Sequence, residues 1–329
     1  MKSIVTGGAG FIGSHLVDAL LELGHEVIVL DNFSTGRREN LDHVKSKISL
    51  IECELSVPGN WAQYFKNIDW AFHLAALADI VPSIQKPEAY FRANVDGTFN
   101  VLQASQNAGV KRFLYAASSS CYGIPDQYPT PETAEIRPQY PYALTKRIGE
   151  ELVIHWAQVY KLNALSCRFF NVYGTRSRTS GTYGAVFGVF LAQKLANQPL
   201  TIVGDGNQTR DFTYVSDIAQ ALIAAAKSNQ SGKIYNVGSG QTISVNRLVE
   251  LLGGEKVYIP KRPGEPDCTF ADITKIKQDL GWKPRVSIEK GVSEVIKNID
   301  YWRNAPVWTP DSIASATQDW FKYLGSTTN

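Results

Sequence analysis

The stretch Thr6-Gly7-Gly8-Ala9-Gly10-Phe11-Ile12-Gly13 decides how the rest of the chain is read. Ile4 and Val5 before it read as a short buried strand, and residues 14–21 after it read as a helix. A strand, a glycine-rich turn and a helix N-terminus make a phosphate cradle, because the first N–H groups of a helix lack partners and its dipole favours an anion. The glycines divide the work: Gly7 permits the tight turn, Gly10 lets a pyrophosphate approach the backbone, and Gly13 lets the helix pack on the strand. The spacing is G-x-x-G-x-x-G, not G-x-G-x-x-G, and alone it is a weak signal. Context strengthens it. A second apolar run, 26–30, ends at Asp31. An acidic side chain there binds adenosine ribose hydroxyls and repels a 2′-phosphate, so NAD is expected over NADP, although Arg37 and Arg38 lie nearby.

With 329 residues, 44% of them hydrophobic, the chain can bury a large core in one big domain or two fused lobes. A formal net charge of +2 gives no sign of a nucleic-acid partner. Cys53, Cys121, Cys167 and Cys268 are scattered, with no C-x-x-C pair, and the histidines at 15, 25, 43, 73 and 155 show no ligand spacing. No metal site or disulfide is expected. The N-terminus enters a strand directly, and no apolar run reaches membrane length, so the expected location is the cytoplasm.

Strand and helix signals alternate through the first two-thirds, which implies an α/β fold with a Rossmann-type, doubly wound parallel sheet. The third strand, 48–51, is followed by Glu54 and Leu55; Glu54 meets the adenine or simply faces solvent. The fourth, 69–74, closes on Leu74 and is ended by Ala75 and Ala76, whose small side chains leave room for a cofactor at a carboxyl strand edge. A helix over 87–108 carries Asn94. The fifth strand, 112–117, runs into Ser118-Ser119-Ser120-Cys121-Tyr122-Gly123. Tyr142 opens a helix to about residue 160, with Lys146 one turn later on the same face. A lysine so placed lowers the phenol pKa, which would make Tyr142 a base at neutral pH, with Ser120 on the same substrate oxygen. Beyond residue 174 the rhythm loosens. The polar run 176–184 reads as a substrate loop, and 261–265 as a basic loop.

Taken together, these segments resemble the extended short-chain dehydrogenase/reductases, specifically the sugar-nucleotide epimerase and dehydratase group. The resemblance runs over 6–13, 31–32, 73–76, 118–123, 142–146, 168–174, 204–212 and 262–265, and is closest to UDP-sugar 4-epimerases that handle N-acetylated hexosamines. It implies a Rossmann domain over 1–174 and a smaller C-terminal α/β substrate lobe over 175–329, with some segments returning to the first core. It implies NAD on Gly7, Gly10, Phe11, Ile12, Gly13, Asp31, Asn32, Glu54, Leu55, Leu74, Ala75, Ala76, Asn94, Ser118, Tyr142 and Lys146. Ser120, Tyr142 and Lys146 would be catalytic. Ser119, Ser120, Asn171, Arg210, Arg262, Glu265 and Thr269 would meet the nucleotide sugar, the two arginines as a diphosphate clamp.

Dehydratases of this group carry an Asp-Glu pair after the serines, and decarboxylases a Glu. This chain has neither, which favours a 4-epimerase passing through a 4-keto sugar, with a place in polysaccharide biosynthesis. The alternatives are a 4,6-dehydratase or decarboxylase, and a catalytically silent NAD-binding regulatory protein. A homodimer is implied through the helices near 94–108 and 142–160, with Leu152, Val153 and Trp156 as candidate apolar contacts. A final segment, 305–324, departs from the group's pattern. It reads as an extra packing helix capped by Asp311 or Ser312, or as a lid edge or subunit contact.

Overall fold

A computed structural model describes residues 1–177 and 184–325. Residues 178–183, the middle of the expected substrate loop, lie outside the described residues. The first half runs β1 (Lys2–Thr6), α1 (Phe11–Glu22), β2 (Glu26–Asp31), β3 (Ile48–Glu52), β4 (Trp70–His73), α2 (Ile80–Gln85), α3 (Pro87–Phe91), α4 (Gly97–Ala108), β5 (Arg112–Ser118), α5 (Pro141–Val159) and β6 (Ala164–Phe169). The second runs β7 (Asn171–Tyr173), α6 (Val186–Leu195), β8 (Leu200–Val203), β9 (Thr209–Arg210), β10 (Phe212–Tyr214), α7 (Val215–Lys227), β11 (Lys233–Val237), β12 (Ile243–Ser244), α8 (Val245–Leu252), β13 (Lys256–Ile259), α9 (Thr274–Leu280), α10 (Ile288–Lys297), α11 (Pro310–Ala316) and α12 (Gln318–Leu324).

Seven strands form one sheet in the order β11-β6-β5-β4-β1-β2-β3, every pair parallel. This is a Rossmann-type doubly wound sheet, and its strand order reverses between β1 and β4, where such sheets bind ligands. Strand alternation sends Val5, Val29, Phe72 and Leu114 to one face, under α1 and α7. Ile4, Ile28, Ala71 and Phe113 go to the other, under α4 and α5. A parallel sheet covered on both faces needs continuous apolar runs, and these strands supply them. A third core gathers Phe187, Leu200, Ile202, Leu248, Trp302 and Ile313 from the C-terminal half.

The single helix expected over 87–108 is two helices joined by a π-helical turn, Arg92–Asp96. Val153 and Trp156 are buried in this chain's own core, at 0% and 6% exposure, so they are not free for a second subunit. The cap of α11 is Thr309, neither Asp311 nor Ser312. Its hydroxyl accepts from Ser312 N at 3.2 Å while Ser312 Oγ accepts from Thr309 N at 2.8 Å, and Pro310 takes the first helical position.

One buried network fixes α5 against the sheet. Arg168 on β6 and Glu150 on α5 are each 1% exposed and bonded at 2.7 Å. Ser166 Oγ donates to the same carboxylate at 2.8 Å, and Arg168 also donates to Tyr122 Oη at 2.6 Å. Tyr122 passes the chain on to Asn236 of β11 at 2.7 Å. Removing one member of a buried pair strands the other charge. Glu150→Ala is therefore expected to destabilise the fold by about 3–5 kcal/mol, read as a lowered urea midpoint. The double change Glu150→Leu with Arg168→Met should recover most of that loss.

Candidate active site

A cleft of about 680 Å³ opens at the carboxyl ends of β1, β4 and β5 and continues into the C-terminal half. Its floor is the cradle. Gly7 has φ +69°, and a Cβ there would stand 2.7 Å from Ala75 N. A Cβ on Gly13 would stand 2.1 Å from Gly7 O, so only glycine lets α1 begin so close to β1. Gly10 starts α1 with no capping side chain, which leaves the first N–H groups for an anion. Asp31, 6% exposed, accepts Ala9 N at 2.9 Å on one oxygen and Phe33 N at 2.8 Å on the other. Each oxygen keeps a lone pair for a ribose hydroxyl. Arg38, which would favour a phosphate, is instead paired with Glu52 and laid over Phe33. Asn32 donates to Glu54 at 2.7 Å, and the exposed Glu54 lines the cleft with Leu55. Phe11, Ile12, Leu74, Ala75 and Ala76 line the same end. The residues present fit a dinucleotide.

Asn94 is not among the residues that line the cleft. It is fully buried, accepting from Leu77 N at 2.8 Å and donating to Leu77 O and Thr145 Oγ1, each at 3.0 Å. The π turn aims it at the protein, and its bonding capacity goes to tying the 77 loop to α5.

Ser118, at the end of β5, Ser119 and Ser120 line the cleft with Tyr140 and Tyr142. Ser118 Oγ and Ser120 Oγ are 2.8 Å apart, and either can donate to the other. The short 3-10 turn Ser119–Tyr122 carries Ser120 away from β5, and Ser118 itself caps that turn. Tyr140 lies near-parallel to Tyr142, with ring centroids 6.4 Å apart.

The acid–base expectation is also corrected. Burial pushes the Tyr142 phenol up, only partly opposed by the neighbouring Ser118 hydroxyl. Burial likewise lowers Lys146 from 10.5 to about 7, against the pull of Glu150. Lys146 is 4% exposed, and its Nζ lies 4.2 Å from the centroid of the Tyr115 ring. Desolvation outweighs the lysine's charge in the protein alone.

At the far end, Asn171, Arg210, Arg262, Glu265 and Thr269 line the cleft together, with Ser119 between the two halves. Arg210 donates to Glu265 at 2.9 Å, and Arg262 lies 3.7 Å from the same carboxylate. Thr269 donates to Asn171 Oδ1 at 2.6 Å. Tyr140, Trp308 and Trp320 are among the lining residues that the sequence reading did not assign to the site. Tyr140 was visible beside Tyr142 across Pro141, but Trp308 and Trp320 arrive from the C-terminal segment with no local signal.

Residues 3–238 match the model of the NAD dependent epimerase/dehydratase family. A putative UDP-glucose 4-epimerase of Methanocaldococcus jannaschii is 36% identical over 302 residues, 89% of this chain and 96% of its own. The structure of UDP-glucose 4-epimerase from Thermotoga maritima, solved with UDP-glucose, is 35% identical at a TM-score of 0.85, covering 92% of this chain and 99% of its own. That of UDP-N-acetylglucosamine 4-epimerase from Methanobrevibacter ruminantium, in complex with UDP-N-acetylmuramic acid, is 33% identical at a TM-score of 0.86, covering 92% and 97%.

Lys146 makes a signed prediction. Between its folded value of about 7 and 10.5, the unfolded chain holds a proton that the folded chain has lost. Its contribution to stability therefore rises with pH across that window, and below it the full cost of the buried charge is present. Lys146→Met is expected to raise the melting temperature most near about pH 6, with the gain shrinking as pH rises. Thermal unfolding of both proteins across that range checks it; a gain that grew with pH would contradict the burial argument.

Proposed function

This chain belongs to the NAD dependent epimerase/dehydratase family, and from that premise we propose that it is a 4-epimerase of UDP-hexoses. UDP-GlcNAc and UDP-GalNAc are its substrates, with UDP-Glc and UDP-Gal also accepted. The observation that carries this reading is what surrounds Tyr142. Its neighbours over 118–121 are three hydroxyls and a thiol, with no carboxylate to remove water or to serve a decarboxylation. Burial pushes the Cys121 thiol up to about 12, so it does not substitute for one at neutral pH.

A bound NAD would supply the hydride acceptor and donor for C4, and its ring charge would oppose the burial that raises the Tyr142 phenol. Tyr142 takes the proton of the 4-hydroxyl and returns it after the 4-keto sugar has turned about its link to the diphosphate. Ser120 supports Tyr142 on the same substrate oxygen, with its hydroxyl 2.8 Å from that of Ser118. Lys146 sits one turn behind on the nicotinamide-ribose side, and Gly7, Gly10 and Asp31 hold the rest of the dinucleotide. Arg210 and Arg262 clamp the diphosphate, and Glu265 takes the uridine ribose. The protein works in the cytoplasm as a homodimer. Exposed Phe99 on α4 and Leu144 on α5 support that pairing in place of the buried Val153 and Trp156.

Given UDP-GlcNAc, the purified protein is expected to produce UDP-GalNAc with no change in mass. Loss of water or carbon dioxide from a UDP-sugar panel would make it a dehydratase or decarboxylase, and an inert NAD-loaded protein a silent binder. Tyr142→Phe should lose about 10²–10⁴ in turnover with the fold intact, and Ser120→Ala should also lower turnover.

The acyl group is gated by Thr269, whose side chain lines the cleft and bonds Asn171. A small residue there leaves space beside the C2 substituent. Thr269→Tyr is expected to lower kcat/KM for UDP-GlcNAc by about 10-fold or more relative to UDP-Glc. An unchanged ratio would remove Thr269 as the gate.

A further inference from the structure

The C-terminal segment beyond α10 does more than pack. Its first part runs along the cleft: Trp308 lines it, and the Trp308 carbonyl accepts from Gln193 Nε2 at 2.7 Å. Ile313, 3% exposed, anchors α11 in the third core. α12 then returns to the mouth of the site, held from outside by Gln85 Nε2 on Asp319 at 2.9 Å. This return places Trp320, 4% exposed, against the basic loop. Trp320 Nε1 donates to Pro263 O at 2.7 Å, and the Arg262 guanidinium carbon lies 5.5 Å from the Trp320 ring centroid. The same ring is 6.4 Å from Tyr140, the near-parallel neighbour of Tyr142.

We propose that Trp320 is a positioning residue of the nucleotide-sugar site, holding Arg262 and its loop in the geometry that grips the diphosphate. The proposal rests on Arg262 being a diphosphate contact, as argued above. A guanidinium on a flexible loop loses freedom when it binds an anion, and a loop already fixed has less to lose. Two independent contacts do the fixing here. The indole N–H restrains the backbone at Pro263, and the ring face restrains the guanidinium by cation–π attraction in a partly desolvated place. From the other side Glu265, three residues on, is bonded to Arg210. The loop between Arg262 and Glu265 is thus pinned at both ends, by α12 and by β9.

The test is calorimetric titration of the full-length protein with UDP, so that no step depends on which sugar is turned over. Trp320→Ala is expected to raise the Kd for UDP and the KM for the nucleotide sugar by about tenfold, with kcat within about twofold of wild type and NAD content unchanged. Trp320→Phe keeps a ring face and loses the N–H donor, and should fall in between. A double-mutant cycle separates positioning from general support. In an Arg262→Ala background, the Trp320 change should add little further loss. An equal loss in both backgrounds, or a Trp320→Ala protein that binds UDP like wild type, overturns the proposal. If Trp320→Ala does not fold, the cycle is run with Trp320→Phe and judged the same way. A wild-type protein that binds none of UDP, dTDP and GDP would instead overturn the nucleotide-sugar reading, and this proposal with it.

Discussion

Glu150 and Arg168 meet where water does not reach, and the placement of Tyr142 two turns back along α5 follows from that meeting. Taking both charges out of water is costly, and their attraction compensates only when the remaining hydrogen-bonding capacity is filled. Here it is filled, by Ser166, Tyr122 and Arg147. An apolar face would tolerate small slides of α5 over the sheet. A forked guanidinium on a carboxylate accepts one register, because its donors are fixed in a plane. Tyr122 and Asn236 extend that register to the turn after β5 and to β11, so the wall opposite Tyr142 is set by the same bonds.

The sheet was legible because parallel strands covered on both faces must be written as unbroken apolar runs, and 26–30 and 112–117 are such runs. The cradle was legible because its glycines answer steric demands that no other residue meets, as the contacts at Gly7 and Gly13 demonstrate. The set of residues sharing the cleft was largely readable for the same reason: strand ends in a doubly wound sheet converge. What spacing could not supply was side-chain aim and energetics. Asn94 lies in a π turn and spends its amide on Leu77 and Thr145. Spacing gave the Tyr142–Lys146 adjacency but not its sign, because desolvation is a property of the folded surroundings. The destination of α12 was out of reach, since Trp320 meets partners far away in sequence.

The two halves of the cleft are joined through the first helix. The N-terminus of α1 is the cradle, while His15 bonds the Thr175 carbonyl at 2.9 Å and Asp18 pairs with Arg176 at 2.7 Å, just past β7. Burial holds His15 down to about 4, so that bond involves a neutral ring throughout the physiological range. α7 packs beside α1 and leads into β11, which returns the later part of the chain to the sheet. One helix therefore locates both the cradle and the start of the segment that lines the other end of the cleft.

Asp31 shows how cofactor choice and fold have become one problem. Its two oxygens hold Ala9 N in the cradle and Phe33 N in the following turn, and a Cβ on Gly36 would stand 2.8 Å from the same carboxylate. A side chain that only repelled a phosphate could be exchanged freely by drift or by an engineer. This one is also a brace, and trading it for a neutral residue would release two backbone donors inside the very turn that must hold the new ligand. Redirecting this scaffold to a phosphorylated dinucleotide would require rebuilding the 31–37 turn as a unit, so its preference is robust to single mutations.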